Sequence, residues 1–529
     1  MPVPSMLINL GKNLLNKTQA MLDQGYDTSL SGACARRLQN AYQASYTRKL
    51  INRNRIKESR SYYLLLRFGA ALEKHLHLPA WLRARLPALT YGSMLALAII
   101  ALLSFFFLPL RQALVTAGAV LLIIGVFNRT ENGVYAAALL LPFVPFKALF
   151  GLAVLSLASL IYKSTGRPHF RFYLTPLLIP LLLFFVIMFY ATVTSISFWD
   201  SASEFLIPVT GFIYLLVIIN TFDDRDKLDN LILCIAAAGL ITAGYAIYQY
   251  YTGASAVELR KEWVDLTQNP EIKNRAYAVF ENPNLLAQYL VLLATLTLGA
   301  AFNTARTGPR LFFMITTALS AFCLVLTWSR GGWLSFGAAL VVFALLKNRI
   351  VVQMIAIAGI AAFSAMPPAI VNRLSTITSM KDSSNAYRLD TWQSALDLVK
   401  VHWETGVGLG RKAFARVYYT HMINSNIVPH SHNLYLQLIS EFGILGLAVF
   451  CWLFLGIFRL GIKLSAAGDA RIKSLNAGVV GALAGFLIHS FVDYFLWYYK
   501  LGIFLWLLVA VILVLEKISC QPSSSERNE

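Results

Sequence analysis

Long uninterrupted runs of apolar residues recur along this chain and constrain its fold more than any other feature. Fourteen of these runs approach the ~20 residues that an α-helix needs to cross a ~30 Å hydrocarbon core. Residues of hydrophobic type make up 57% of the chain and charged residues only 13%. Lipid offers no partner to backbone amides, and the runs lack the two-residue alternation of a barrel strand. The sequence therefore predicts an all-α, polytopic transmembrane bundle of about 12–14 spans.

The number of predicted spans depends on how one apolar stretch is divided. Residues 133–162 form a single apolar stretch that Pro142, Pro145 and Lys147 interrupt, and we divide it into two short spans. An error there would invert the predicted orientation of everything before it. The predicted spans are 91–110, 112–127, 133–146, 147–162, 173–194, 204–221, 229–251, 284–303, 311–328, 331–346, 350–366, 433–458, 474–492 and 500–516.

The positions of lysine and arginine predict the orientation, because short positively charged loops resist translocation. One alternating set of short loops holds fourteen Lys and Arg residues, whereas the opposite set holds four. We therefore expect the basic loops and both termini to be cytoplasmic. Two long loops, 252–283 and 368–432, are then predicted to face outward from a plasma (inner) membrane. The second of them is expected to be mostly helical.

Residues 1–90 form a basic segment that precedes the predicted membrane domain, residues 91–516. It holds 14 Lys and Arg residues and four acidic residues. The difference between them is more than half of the chain's net charge of +19. Leucine, phenylalanine and tryptophan interleave with basic residues over 61–86, as in a helix lying on anionic lipid. A disordered tail whose charge enforces topology is an equal alternative. No recognition motif for nucleic acid is present. Residues 517–529 are predicted to form a cytoplasmic tail.

Two arginines lie next to span starts on the predicted outer side. Arg275 precedes Asn282-Pro283-Asn284, a helix-start signal in which proline fixes φ at the first helical position and asparagine caps. Arg330 lies in Ser-Arg-Gly-Gly, a tight turn whose glycines allow a close backbone approach. An arginine inside a hydrophobic hairpin requires an anionic partner. The alternative is that Arg330 extends to the membrane interface.

The second long loop predicts a surface helix, because apolar and aromatic residues recur at helical spacing from Trp392 to Trp403. Arg388 lies just before this helix and is a third candidate anion contact, with an ion pair to Asp390 as the alternative. A glycine-rich turn follows at 406–410. It is not a dinucleotide fingerprint, because no strand precedes it.

His430 and His432 lie where this loop meets the next apolar run. With the three arginines they suggest a site that binds a diphosphate and moves a proton. A guanidinium donates two parallel hydrogen bonds to phosphate and keeps its charge, and histidine titrates near neutrality. A diphosphate is already a good leaving group, so electrostatic stabilisation could replace a metal. No metal-ligand spacing of Cys and His appears, and we expect no metal and no cofactor.

Five motifs, in this order, carry a resemblance to a known family: RAYAVFENPNLLA, SRGGWL, YRLDTWQSAL with GVGLG, HSHNLYLQLISEFGILG and HSFVDYFLW. The chain resembles the O-antigen ligase and polymerase superfamily over roughly residues 91–516. The superfamily includes lipopolysaccharide O-antigen ligases, O-antigen polymerases and bacterial O-oligosaccharyltransferases. The resemblance implies an inverting, metal-independent glycosyltransferase. Its donor would be an undecaprenyl-diphosphate-linked glycan on the outer membrane face, and its acceptor a hydroxyl of a glycan or glycolipid.

Roles for the candidate residues follow from the resemblance. It implies that His432 is the catalytic base and that Arg275, Arg330 and Arg388 hold the diphosphate donor. His430 lies two residues before the motif position and is the weaker candidate for the base.

Three further residues have open roles. Glu441 either orients His432 or satisfies a polar group inside the bundle, and we favour the second. His489 and Asp493, four residues apart, are expected to share a helix face. They either line the acceptor side or bond each other.

Two other functions compete with a ligase. A polymerase of the same superfamily would use the same residues to join lipid-linked repeat units. A transporter for bicarbonate or another small anion should place ionisable residues near the bilayer midplane and often shows repeated halves. Here the charges gather at the predicted outer boundary and no internal repeat is evident, so we favour the enzyme.

Overall fold

The computed structural model describes residues 109–165, 172–173, 175–254, 270–379, 382–423, 428–466 and 469–520. The elements of secondary structure in these ranges are helices, which confirms the all-α prediction. A 3-10 turn covers Thr376–Thr378. Helices α1 to α16 cover, in order, Leu110–Asn128, Glu131–Leu140, Phe146–Thr165, Leu178–Val193, Phe198–Thr221, Arg225–Tyr251, Pro283–Asn303, Thr307–Leu326, Arg330–Lys347, Arg349–Ser364, Pro368–Ser375, Ser383–His402, Arg411–Tyr418, Leu434–Ala466, Ala470–His489 and Tyr499–Ser519.

Nine of the described helices are long and apolar enough to cross a membrane: α3, α5 to α9 and α14 to α16. Shorter apolar helices lie within α1, α4 and α10, where spans were also predicted. The chain is therefore a polytopic helical membrane protein. The basic segment 1–90, almost all of the predicted span 91–110 and the end of the tail, 521–529, lie outside the described residues.

The apolar stretch 133–162 divides where its prolines predicted, but the first half is not a complete span. Helix α2 ends at Leu140 and α3 begins at Phe146, with Pro142 and Pro145 in the turn between them. Proline has no backbone N–H to continue a helix. The 10 residues of α2 rise only about 15 Å, half of a hydrocarbon core. The predicted span 133–146 is therefore wrong, and the orientation predicted before α3 depended on it.

The described chain falls into two compact units. One holds the described residues up to Val120 together with those of Leu160–Leu182, and the other holds Leu121–Ser159 and the described residues from Leu183 onward. Every site residue discussed below belongs to the second unit. Its most deeply buried membrane helices are α7, α15 and α16, in each of which 83% of the apolar window is buried.

Helices α7 and α15 pack at backbone distance. A Cβ added at Gly299 of α7 would lie 2.7 Å from the Cα of Gly478 on α15, and one added at Gly478 would lie 2.9 Å from the Cα of Gly299. Small residues at such positions allow membrane helices to approach closely, and van der Waals packing then holds them together. This contact holds the last part of α7 against the first half of α15, away from the candidate site, which lies at the start of α7 and the end of α15.

Helix α14 is broken at Gly443, and Trp403 and Glu404 of the 368–432 segment pack against the break. Gly443 has φ 65° and ψ −172°, a conformation essentially restricted to glycine. The Ile444 amide donates to the Trp403 carbonyl at 2.7 Å. The glycine in SEFG thus joins the connecting segment to the membrane helix.

We expect Gly443→Ala to lower the free energy of unfolding by about 2–4 kcal/mol, because it adds backbone strain and a steric overlap. The new Cβ would lie 2.1 Å from the Glu404 carbonyl oxygen. Gly308→Ala is the matched control, since a Cβ there meets no atom within 4 Å. Thermal unfolding of the purified variants in detergent measures the difference. Equal melting temperatures for the two variants would contradict the strain.

The 368–432 segment has the predicted surface helix, α12, and two shorter helices, α11 and α13. It carries its own apolar core of buried residues: Ala395, Leu398, Val407, Phe414, Tyr418 and Val428. The predicted glycine-rich turn links α12 to α13 with positive φ at Gly406, Gly408 and Gly410. A Cβ at Gly406 would overlap the Glu441 carbonyl, so this turn also packs against α14.

Candidate active site

Four arginines line a single cavity of about 320 Å³. Three of them, Arg275, Arg330 and Arg388, are the residues predicted to hold a diphosphate. The fourth is Arg373 of α11, which no sequence motif indicated. None of the described residues in the cavity wall is acidic. A concave surface with four fixed positive charges suits a polyvalent anion.

Arg275 lies at one end of this cavity and is held by the start of α7. Its Nε donates to the Thr327 carbonyl at 2.9 Å, and its Nη2 donates to the Asn284 Oδ1 at 3.3 Å. The predicted helix start is confirmed, since the Asn282 side chain accepts from the Asn284 amide and Pro283 opens α7. Burial, and then the charges of the other three arginines, lower the pKa of Arg275 to about 9. Arg275 is thus a buried cation close to three others.

Arg330 has the anionic partner that its buried position requires. Its guanidinium contacts Asp382 twice, at 2.8 and 3.1 Å, and both side chains are less than 10% exposed. The same two nitrogens also donate to Thr376, through its carbonyl and hydroxyl, and to Asn385 Oδ1. The interfacial position considered for Arg330 is therefore wrong. Arg330 ties α9 to the 368–432 segment, because Asp382 is also the N-cap of α12.

Arg388 and Arg373 complete the cavity wall. Arg388 donates from Nε to the Val492 carbonyl at 2.8 Å and from Nη1 to Ser384 Oγ at 2.7 Å. Arg373 lies 3.6 Å from Asp382 and is 5% exposed. Burial, and then the charge of Arg330, lower its pKa to about 10. Asp382 thus stands between two of the four guanidinium groups.

His432 forms a pair with Asp493 at the edge of the cavity. The Nδ1 of His432 lies 3.3 Å from Asp493 Oδ1. An ionised carboxylate only accepts hydrogen bonds, so Nδ1 carries the hydrogen and Nε2 keeps a lone pair. Burial opposes ionisation of Asp493, but the hydrogen bond from His432, helped by the charge of Arg388, holds the pKa of Asp493 well below its usual range. Such a pair can remove a proton from a hydroxyl group.

Asn284 connects this pair to the arginine cavity. Its Nδ2 donates to Asp493 Oδ2 at 3.0 Å, while its Oδ1 accepts from Arg275. The chain Arg275, Asn284, Asp493, His432 therefore joins three motifs that are far apart in sequence. His432 itself is not part of the cavity wall.

The backbone at His432 is held in an unusual conformation. Its φ is +50°, which for a residue other than glycine marks a strained position that the surroundings must maintain. The following residue, Asn433, accepts from the Tyr435 and Leu436 amides and so caps α14. Trp392 Nε1 donates to the His432 carbonyl at 3.4 Å. In this motif His432 thus carries the imidazole on a strained backbone, and Asn433 caps α14.

His430 lies against His432 with ring centroids 4.3 Å apart. Its Nδ1 accepts from the His432 amide at 3.3 Å. Burial, and then the neighbouring His432, lower the pKa of His430 to about 3, so its ring is neutral at physiological pH. Together with Asp493 the two histidines form a group whose potential metal-ligand atoms lie within 4.8 Å of one another.

Glu441 has the contacts of a bundle-packing residue. It is fully buried and accepts from Trp497 at 2.8 and 3.0 Å, from Gln437 at 2.7 Å and from Tyr494 at 3.3 Å. Gln437 in turn accepts from the Ser431 amide at 2.7 Å. Glu441 therefore supports the loop that carries His432 without reaching His432 itself. The role of Glu441 stays a prediction.

His489 and Asp493 do not share a helix face, contrary to expectation. Helix α15 ends at His489, so Asp493 lies in the turn beyond it. His489 Nδ1 lies 2.6 Å from Gln288 Oε1, and its ring lines the arginine cavity. Gly331 makes room for that ring, since a Cβ there would lie 2.9 Å from His489 Nε2. The glycine pair was predicted to allow a close approach, and the group that approaches Gly331 is the ring of His489.

A comparison with known protein families found a match within this part of the chain. The model of the family described as O-antigen ligase matches residues 315–451. Residues 315–451 are thus similar to an O-antigen ligase domain. This confirms the predicted resemblance. The O-antigen ligase match includes Arg330, Arg373, Asp382, Arg388 and His432, and it ends before the Asp493 motif. A search of curated proteins found no match to the chain.

Proposed function

We propose that this protein is an inverting, metal-independent glycosyltransferase of the O-antigen ligase type. It would move a glycan from an undecaprenyl-diphosphate carrier to an acceptor hydroxyl. One observation carries the proposal: a cavity with four arginines and no acidic wall residue adjoins the His432–Asp493 pair. The cavity suits a diphosphate and the pair suits proton removal. The O-antigen ligase match supports the same class of reaction.

In the proposed reaction the acceptor oxygen attacks the anomeric carbon of the donor glycan. The bond from that carbon to the diphosphate oxygen breaks, and its electron pair leaves with the carrier diphosphate. His432 Nε2 takes the acceptor proton, and Asp493 stabilises the resulting imidazolium. The arginines stabilise the departing negative charge, which supplies electrostatic catalysis.

The relative positions of base and cavity fit inversion. A single displacement places the attacking oxygen and the leaving group on opposite faces of the anomeric carbon. His432 lies outside the cavity wall, and Asn284 and Asp493 separate it from Arg275. A donor with its diphosphate in the cavity would then receive the acceptor from the side of His432. Arg275, Arg373 and Arg388 would contact the phosphates, and Arg330, whose two Nη atoms contact the 368–432 segment, would support the cavity wall.

We place the site on the periplasmic or extracellular face of the plasma membrane. The cavity lies at the beginning of α7 and the end of α15. The opposite ends of these helices meet a second cavity lined by Arg225, Arg306 and Arg471, all from the basic loops predicted to be cytoplasmic. This separation of basic loops from the site supports the orientation.

A polymerase would use the same donor site, with a second lipid-linked glycan as the acceptor. An anion transporter has less support. The two cavities lie at opposite ends of α7 and α15, and these helices touch at Gly299 and Gly478. Alternating access needs helices that move past one another around a central site. The close backbone contact opposes such movement.

The test uses the full-length protein in lipid nanodiscs, with a synthetic polyprenyl-diphosphate glycan as the donor. Candidate acceptors are a lipid A-core glycolipid and a second molecule of the donor. We expect transfer in the presence of EDTA, with inverted configuration at the new linkage. The acceptor that reacts separates ligase from polymerase. A retained configuration, or transfer that EDTA abolishes, would contradict the proposed mechanism. Bicarbonate uptake into proteoliposomes would favour the transporter.

A further inference from the structure

The cluster of His430, His432 and Asp493 offers more than a base and its partner. The two imidazole rings are 4.3 Å apart, and His432 lies 3.3 Å from the carboxylate. The three residues come from two separate segments that the start of α14 holds together, since the Leu434 amide donates to the Ser490 carbonyl at 2.8 Å. The cluster is therefore part of the folded framework. His432 and Asp493 keep 23% and 10% of their side-chain surface exposed.

We propose that these three residues form a binding site for Zn²⁺ or a similar divalent transition-metal ion, and that the bound ion silences His432 as a base. The second part rests on the proposed function, whereas the first does not. Two imidazoles and one carboxylate are a ligand set that zinc uses in proteins. The fourth position would be open to water, because the cluster is partly exposed.

The geometry needs only side-chain rotation. A tetrahedral zinc ion with ligands at about 2.0–2.2 Å places the ligand atoms about 3.4 Å apart. The His432–Asp493 distance of 3.3 Å already has this value, and all the ligand atoms lie within 4.8 Å of one another. His430 must turn toward the other two. Its present contact, the 3.3 Å hydrogen bond to the His432 amide, is long for this type and inexpensive to break.

Loss of the base follows from the chemistry of imidazole. A metal binds through one ring nitrogen, and the other nitrogen then carries the hydrogen at neutral pH. Whichever nitrogen of His432 holds the ion, no lone pair is left to accept a proton from an acceptor hydroxyl. The ion would also take the carboxylate that stabilises the imidazolium. Metal binding and proton removal are therefore mutually exclusive at this residue.

The chain provides a matched control in a second histidine pair. His402 and His421 have ring centroids 6.4 Å apart in the 368–432 segment. This pair is wider than that of His430 and His432, and it is not part of a three-ligand group of described residues. The double variant His402→Gln with His421→Gln therefore removes two histidines without touching the proposed ligands.

The experiment uses full-length protein without a polyhistidine tag, stripped with EDTA and kept in detergent. Isothermal titration with Zn²⁺ and absorption spectra with Co²⁺ measure binding directly, without reference to activity. We expect one ion per chain in the wild type and in the His402/His421 control. His430→Asn and Asp493→Asn should each weaken binding at least tenfold. Absence of binding in the wild type, or unchanged binding in both single variants, would overturn the site.

Glycan transfer then tests the consequence. Stoichiometric Zn²⁺ should inhibit the wild type, and EDTA should restore it. Tight binding that leaves transfer unchanged would overturn the silencing of His432. Absence of transfer in the metal-free protein would instead count against the proposed function and leave the binding result standing.

Discussion

His432→Ala is expected to lower the rate of glycan transfer by about 10²–10⁴-fold, the usual contribution of a general base. The donor should still bind, because the arginine cavity does not include His432. The loss should therefore appear in kcat and not in the KM for the donor. Initial rates at varied donor concentration, with donor binding to the inactive variant as a separate measurement, check this division.

Asp493→Asn tests the role of the carboxylate separately from that of the base. An asparagine in this position can donate to His432 Nδ1, and Nε2 would then carry the hydrogen and lose its lone pair. We expect transfer to fall strongly even though the imidazole is present. Asp493 also accepts from Asn284, so thermal unfolding must show that the variant keeps its fold.

His421→Gln is the control for both variants, since it changes a histidine of the 368–432 segment that contacts Val417 and Thr420. Wild-type transfer by His432→Ala, at equal protein abundance, would exclude His432 as the base. A fall in donor affinity with an unchanged turnover rate would place it among the binding residues instead.

The sequence predicted the helices of this protein well, because apolar periodicity and length are local signals. The helix start at Asn282-Pro283 was readable for the same reason, since a cap acts within three residues. The predicted span 133–146 was wrong because it ran through Pro142 and Pro145, whereas the helix ends before them at Leu140. With only 10 residues, α2 is too short to cross a membrane.

The site was predictable in its residue types and less so in its partners. Arg275, Arg330 and Arg388 were found from motifs and do line one cavity. The partner of His432 was not predicted, because Asp493 is 61 positions away in the sequence. Asp493 also lies beyond the end of α15, so it is not on the expected helix face. A buried Arg330 required an anion, but only the fold identifies Asp382. Arg373 lies in no motif, and only tertiary packing brings it to the cavity.

Arg330 is expected to act on donor binding through Asp382 and not by direct contact with phosphate. Both Nη nitrogens of Arg330 already contact the 368–432 segment, with Asp382 as their charged partner. Breaking a buried ion pair leaves an uncompensated charge and is strongly destabilising. Arg330→Gln and Asp382→Asn should therefore each raise the KM for the donor about 10–100-fold, because the cavity wall loses its shape.

A double-mutant cycle decides between the two roles of Arg330. If Arg330 positions the wall through Asp382, the double variant Arg330→Gln with Asp382→Asn should be no worse than the poorer single variant. If Arg330 holds phosphate directly, removing Asp382 would free its guanidinium to bind the donor more tightly. Asp382→Asn alone would then lower the KM, and adding Arg330→Gln would reverse the gain.

The matched control is Asp397→Asn, which breaks the exposed pair with Lys400 on the same helix and should leave the KM unchanged. Arg373→Gln is the reference for a residue proposed to contact the donor. It should reduce donor affinity further when added to Arg330→Gln, because it removes a second positive charge from the cavity. Coupling of Arg330 with Asp382, together with an additional effect of Arg373, would assign a phosphate contact to Arg373 and a supporting role to Arg330.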